Sequence, residues 1–147
     1  MGPHVILYID DGICASATEP KCCEDRQIIV SDLEQAGFVL NTDKSCLKPH
    51  QVADWLGFIV DLGAGYFRVP EDKISRLKHA IQSVASGGIL VGARSLASVI
   101  GQIISMSLAV GSVSRLRTRA MYSVLNQRRF WSDKLTLTVD AQEELEF

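Results

Sequence analysis

The stretch that most constrains the fold is His4 to Ser16, HVILYIDDGICAS. Val5, Ile6 and Leu7 are apolar and favour strands, and Tyr8 and Ile9 continue the run. Two adjacent carboxylates, Asp10 and Asp11, come next, then Gly12 and a second apolar run from Ile13 to Ala15. The pattern predicts a β-hairpin whose turn carries Asp10-Asp11-Gly12. Side chains alternate between faces along a strand, and a tight turn breaks that alternation, so neighbouring carboxylates can converge there. Held together they repel unless a cation sits between them. An oxygen-only ligand set suits Mg²⁺. Asp10 and Asp11 are therefore the first candidate metal ligands.

With 147 residues the chain is about one domain long and can bury a core. Its charge is unevenly spread. Residues 1–75 hold 6 Lys/Arg against 12 Asp/Glu, whereas residues 76–147 hold 9 against 5. Between positions 76 and 132 there are 8 Lys/Arg and no acid. An acidic half joined to a basic half suggests a metal-binding part and a polyanion-binding part. Cys14, Cys22, Cys23 and Cys46 form no CxxC pair, and no His lies at zinc-like spacing. They fit buried or half-buried thiols of a reducing compartment. The start, MGPH, carries no signal-peptide pattern, so the expected location is intracellular, in cytoplasm or nucleus, and not secreted.

Along the chain, a helix is expected over about Glu19–Gln35, with Thr18 as N-cap, Pro20 in the first turn and Gly37 just past the end. Phe38 to Leu40 reads as a short strand and Asn41 to Lys44 as a turn. Val52 to Asp61 reads as one strand, Leu62 to Gly65 as a turn and Tyr66 to Val69 as the return strand. A helix over about Glu71–Ala85 has Ile74, Leu77, Ile81 and Val84 as its apolar stripe. Another runs from about Arg94 to Val110. Residues 95–114 carry no charge, so a membrane span is considered. Ser98, Gly101, Gln102 and Ser105 dilute the run, and no membrane association is expected. A further helix covers about Ser114–Gln127, with Arg115, Arg119 and Tyr122 spaced to share a side. Leu135 to Val139 alternates as a strand, and a helix begins at Asp140.

Tyr8-Ile9-Asp10-Asp11 resembles the YxDD motif, motif C, in the palm of retroelement reverse transcriptases. LEQAGFVLNTDKS, residues 33–45, resembles motif D of the same family, with Lys44 as its lysine. Trp55-Leu56-Gly57-Phe58 resembles motif E, the primer grip. WLGFIVD and RSLASVIGQIISMSLAVG are most similar to DIRS-type retrotransposons, with gypsy-type elements next. The resemblance implies an α+β fold: a partial polymerase palm of β-hairpins with one packed helix, followed by an all-helical thumb-like bundle. It implies a palm fragment over 1–70, a thumb-like region over 71–130, and the start of a connection or RNase H-like segment over 131–147.

The chemistry implied is RNA-directed DNA polymerase chemistry, the nucleotidyl transfer of a deoxynucleoside triphosphate onto a primer 3′ end with Mg²⁺ or Mn²⁺. Asp10 and Asp11 would be metal ligands, and Lys44 would protonate the pyrophosphate leaving group. Tyr8, Ile9, Trp55, Leu56 and Gly57 would lie against the primer on its RNA or DNA template. Arg115, Arg117 and Arg119 would hold backbone phosphates, a contact without sequence preference. The sequence also departs from the family pattern. None of the nine residues before Asp10 is acidic, so the motif A aspartate is not among these residues, nor are the fingers. The chain alone is expected to be inactive. The alternative expectation is a non-catalytic nucleic-acid-binding or assembly module derived from a retroelement.

Overall fold

Residues 3–146 are described by a computed structural model. The chain is mixed α+β, 48% helix and 19% strand, with its strands in three small sheets rather than one large one. It divides into two compact units, Met1–Tyr66 and Phe67–Phe147.

The first unit opens with strands β1 (His4–Tyr8) and β2 (Asp11–Ala15), paired antiparallel with Tyr8 opposite Asp11. The connection is therefore Ile9-Asp10, not Asp10-Asp11-Gly12 as the sequence suggests. Ile9 has φ +57°, whereas Asp10 has no positive φ, the pattern of a type II′ turn. Helix α1 (Glu19–Gln35) follows, with the Thr18 hydroxyl accepting the Lys21 amide at 3.4 Å. It ends in a Schellman motif: Phe38 N–H reaches Leu33 O at 2.9 Å and Gly37 N–H reaches Glu34 O at 3.0 Å. That geometry requires the left-handed φ of +88° at Gly37.

Phe38 to Leu40 is not a strand. Val39 is 96% exposed and pairs with no strand, so local propensity has nothing to add to. Asn41 makes the expected turn, its side chain and carbonyl both accepting from Lys44 N–H at 3.2 Å. Strands β3 (Val52–Trp55) and β4 (Phe58–Asp61) form a hairpin where one continuous strand is expected from the sequence. Leu56 and Gly57 turn it, at φ +50° and +72°, a type I′ arrangement. Phe58 and Val60 point alternately inward and are buried. Strand β5 (Tyr66–Arg68) is third in this sheet, and the boundary between the units falls within it.

The second unit holds the main apolar core. Helix α2 (Glu71–Ser86) contributes Val84, with Leu77 and Ile81 packed beside it. Helix α3 (Ala93–Ser105) contributes Leu96, Val99 and Ile100, and α6 (Arg119–Leu125) contributes Met121, Val124 and Leu125. Two short helices, α4 (Ser107–Val110) and α5 (Val113–Leu116), lie between them. The long helices expected over 94–110 and 114–127 are thus each broken, at Met106 and at Arg117-Thr118. The Thr118 hydroxyl, fully buried, donates back to Ser114 O at 3.0 Å, a bond that competes with helix continuation.

The unit is not all-helical. Strand β6 (Leu90–Gly92) pairs antiparallel with β7 (Lys134–Thr136), placing Val91 opposite Leu135. The last strand stops at Thr136 instead of Val139, because Val139 already begins α7 (Val139–Glu146). Residues 131–146 pack within the same unit as 71–130, with Leu137, Ala141 and Leu145 in the shared core. Both Glu144 carboxylate oxygens accept from the first free amides of α6, Ala120 and Met121, at 2.9 Å each. α3 is only 13 residues long, and no helix among the described residues is long and apolar enough to cross a membrane.

Leu96 is fully buried, whereas Leu116 is 66% exposed. Leu96→Ala is expected to destabilise by about 3 kcal/mol, the range for a cavity in a packed core. Leu116→Ala should stay within about 0.5 kcal/mol. Urea unfolding of both variants checks the placement; equal losses would contradict it.

Candidate functional site

The β1–β2 turn gathers four of the residues singled out by sequence. Tyr8 and Asp11 are cross-strand partners, and Ile9 and Asp10 are the two residues between them. All four are exposed, Ile9 by 90%. A β-branched residue with left-handed φ is strained, because its Cβ crowds the following carbonyl. Among the described residues only Ile9 and Leu56 combine a side chain with positive φ. Both sit at hairpin turns, inside the two motifs at Tyr8–Asp11 and Trp55–Phe58. Strain of this kind persists where surrounding structure over-determines the backbone, and it concentrates at functional sites.

Asp10 and Asp11 have no ion-pair partner among the described residues. Two exposed carboxylates at one turn match what Mg²⁺ takes from a protein when water and phosphate oxygens complete its shell. Among the described residues no group of three or more His, Cys, Asp or Glu could hold a metal ion. These two side chains would therefore supply only part of a coordination sphere.

The hairpin is fixed to α1 by a polar clamp that sequence reasoning missed. Asp25, only 3% exposed, accepts the Ser16 hydroxyl at 2.7 Å and lies 2.8 Å from the Lys21 ammonium. The Lys21 ammonium first, then the Ser16 hydroxyl, holds the Asp25 carboxyl below its usual range, and Lys21 is raised in return. The Lys21–Asp25 spacing of one helical turn is visible in sequence. The contact to Ser16 is tertiary and leaves no local signal.

Lys44 is exposed at the Asn41 turn. Trp55, Leu56 and Gly57 share the β3–β4 turn, and the Trp55 indole N–H is buried without a hydrogen-bond partner among the described residues.

In the second unit, Arg115, Arg119 and Tyr122 line one cleft of about 420 Å³, together with Ile104 and Thr118. Neither Arg115 nor Arg119 has an ion-pair partner among the described residues. Arg117, at the end of α5, does not line this cleft. A second cleft of about 380 Å³ is lined by Lys73, Arg76, Gln102, Ser105 and Met106. There Arg76 is engaged by Asp72 at 2.7 Å. Arg128 stacks on Trp131 at 4.0 Å from the ring centre.

No family model matches the chain, and comparison with curated proteins and with solved structures finds no match.

Two expected outcomes follow from this geometry. Ile9→Asn should stabilise the protein by about 1 kcal/mol, since Asn tolerates left-handed φ and Ile9 buries almost nothing. Denaturant midpoints measure it; a loss would show that Ile9 is not strained. Asp25 gives an acid-side test. Its folded pKa lies below the unfolded value, so its stabilisation is complete above the unfolded carboxyl pKa of about 3.9 and is lost as pH falls through the folded value. Urea midpoints taken from neutral pH downward should fall less steeply below about pH 4 in Asp25→Asn than in wild type.

Proposed function

We propose that the chain is part of an RNA-directed DNA polymerase, a retrotransposon-type reverse transcriptase, and that the β1–β2 turn is its metal-binding hairpin. One observation carries the reading. The YIDD residues form a tight, strained, exposed reversal that presents two carboxylates unpaired by any described cation. Backbone strain with no packing gain is what a positioned catalytic turn would need.

In the proposed reaction a primer 3′-hydroxyl attacks the α-phosphate of a deoxynucleoside triphosphate and pyrophosphate leaves. Mg²⁺ or Mn²⁺ would neutralise charge on the attacking and leaving oxygens. Asp10 is proposed as the principal ligand from this chain and Asp11 as its support. Tyr8 and Ile9 are proposed to touch the primer terminus; their side chains are open to solvent at the turn. Lys44 is proposed as the acid for pyrophosphate. Trp55, Leu56 and Gly57 would hold the primer strand through a turn whose positive φ values bring backbone to its surface. The motif A aspartate and the fingers of the family lie outside these residues, and an RNase H domain is the expected neighbour. The chain by itself should not extend a primer.

A second reading, a non-catalytic nucleic-acid-binding or assembly module, is favoured by a different feature. The cleft of Arg115, Arg119 and Tyr122 offers two unpaired guanidiniums and an aromatic ring without needing the carboxylates. Guanidiniums of this kind bind phosphate bidentately, independently of base sequence.

One experiment separates the readings. The chain, bound to a primer–template duplex, is titrated with Mn²⁺ while paramagnetic broadening of amide signals is followed by NMR. Under the polymerase reading broadening centres on residues 9–12 and disappears in Asp10→Asn, while duplex affinity is retained. Broadening elsewhere, or unchanged in Asp10→Asn, would overturn that reading and leave the binding module. In either case Arg115→Ala with Arg119→Ala should flatten the slope of log affinity against log salt by about 2, one counterion for each lost phosphate contact.

A further inference from the structure

Cys14 lies in β2, and Ser16 follows two residues later, just past the end of the strand. Cys22 and Asp25 are three apart on α1 and share a helical face, with Ile29 continuing it one turn on. The 2.7 Å bond from Ser16 to Asp25 ties the end of β2 to that face of α1. The Cys22 thiol stands close enough there to help hold the Cys14 thiol up in pKa. Both are free and half-buried, so neither is sealed from small reagents. Cys23 is rotated by one residue around the helix, and Cys46 lies exposed in the loop after Lys44.

We propose that Cys14 and Cys22 are a redox pair, forming a reversible disulfide that locks the β1–β2 hairpin to α1. Nothing in this proposal depends on the hairpin's binding metal or nucleotide. The oxidant is a small-molecule disulfide such as oxidised glutathione. The Cys22 thiolate attacks one of its sulfurs, a mixed disulfide forms, and one glutathione thiolate leaves. The Cys14 thiolate then attacks the Cys22 sulfur and expels the second. Two protein thiols lose two electrons and two protons, and one oxidised glutathione becomes two reduced ones. Burial chiefly, then the neighbouring Cys22, holds the Cys14 thiol up in pKa, which lowers its thiolate fraction at neutral pH. In a reducing compartment such a bond is transient, as befits a sensor and not a structural staple.

The test uses the full 147-residue chain at graded ratios of oxidised to reduced glutathione, followed by acid quench, alkylation and peptide mapping by mass. Because Cys22 and Cys23 are adjacent, the assignment is made by fragmentation of the wild-type peptide and again in Cys23→Ser. A Cys14–Cys22 linked peptide, two hydrogens lighter, is expected in both, with Cys23 of the wild type still alkylated. Cys14→Ser and Cys22→Ser should each abolish it, and Cys46→Ser should not. Oxidised wild type should also show slower hydrogen exchange in the first turns of α1 than reduced wild type. A linkage through Cys23 or Cys46, or Cys14 and Cys22 both free or separately glutathionylated at the most oxidising ratio, would overturn the proposal.

Discussion

Only two residues join Tyr8 to Asp11, and Ile9 must take a left-handed backbone to make the reversal. That reversal fixes the register of the whole hairpin. A slip of one residue would send every side chain of one strand to the opposite face. With the register as it stands, Cys14 pairs with Val5, Ser16 just past the strand reaches Asp25 of α1, and Asp11 stands opposite Tyr8 at the exposed end. The steric strain at Ile9 is small next to the five cross-strand pairs it permits, so the turn is tolerated without any buried side chain to anchor it.

The two units hold themselves together by different means. The second has a contiguous apolar core from α2, α3, α6 and α7, and its sheet closes over Val91 and Leu135. In the first, Phe58 and Val60 are the only buried apolar side chains among the described residues, while every residue of β1 is exposed. Strand pairing and the Ser16–Asp25–Lys21 clamp therefore carry a larger share of its order. A carboxylate as buried as Asp25 is tolerable only because the ammonium and the hydroxyl reach it. Removing either partner leaves a charge with neither water nor full compensation.

Features set by neighbouring residues were legible in the sequence. Helix Glu19–Gln35 shows its Thr18 cap and its Gly37 stop, and both act through bonds within a few residues. The Leu96, Val99, Ile100 stripe and the Asn41 turn are local in the same way. What was misread depends on partners distant in sequence. Phe38-Val39-Leu40 has strand composition but no strand beside it. Leu90–Gly92 is a strand only because residues 134–136, more than forty positions on, pair with it. The reversal at Ile9 is displaced from the expected turn and the one at Leu56 is not foreseen, because both residues are poor turn formers by composition and Asp-Gly promised a turn one residue too late. Of the candidate site, the four residues at Tyr8–Asp11 could be named in advance, but not the clamp at the far end of the hairpin.

The charge pattern gains a sharper meaning from the second unit's contacts. Eight cations and no acid between 76 and 132 could have meant a uniformly basic surface. Instead, several of those cations have local work. Arg76 is tied to Asp72, and Arg128 both stacks on Trp131 and donates to Leu125 O. Asp133, just beyond the acid-free stretch, caps the loop by accepting from the Arg129 and Phe130 amides, which depress its pKa. Glu144 is spent on the start of α6 and leaves the adjoining arginine side chains alone. Of the other six, Arg115 and Arg119 face one cleft with Tyr122. A diffuse excess of charge attracts any polyanion weakly. Two guanidiniums carried on short helices around one cleft instead gather donors in one place, which would suit phosphate oxygens. Any such contact would be indifferent to base sequence, so selectivity would have to come from elsewhere in the protein.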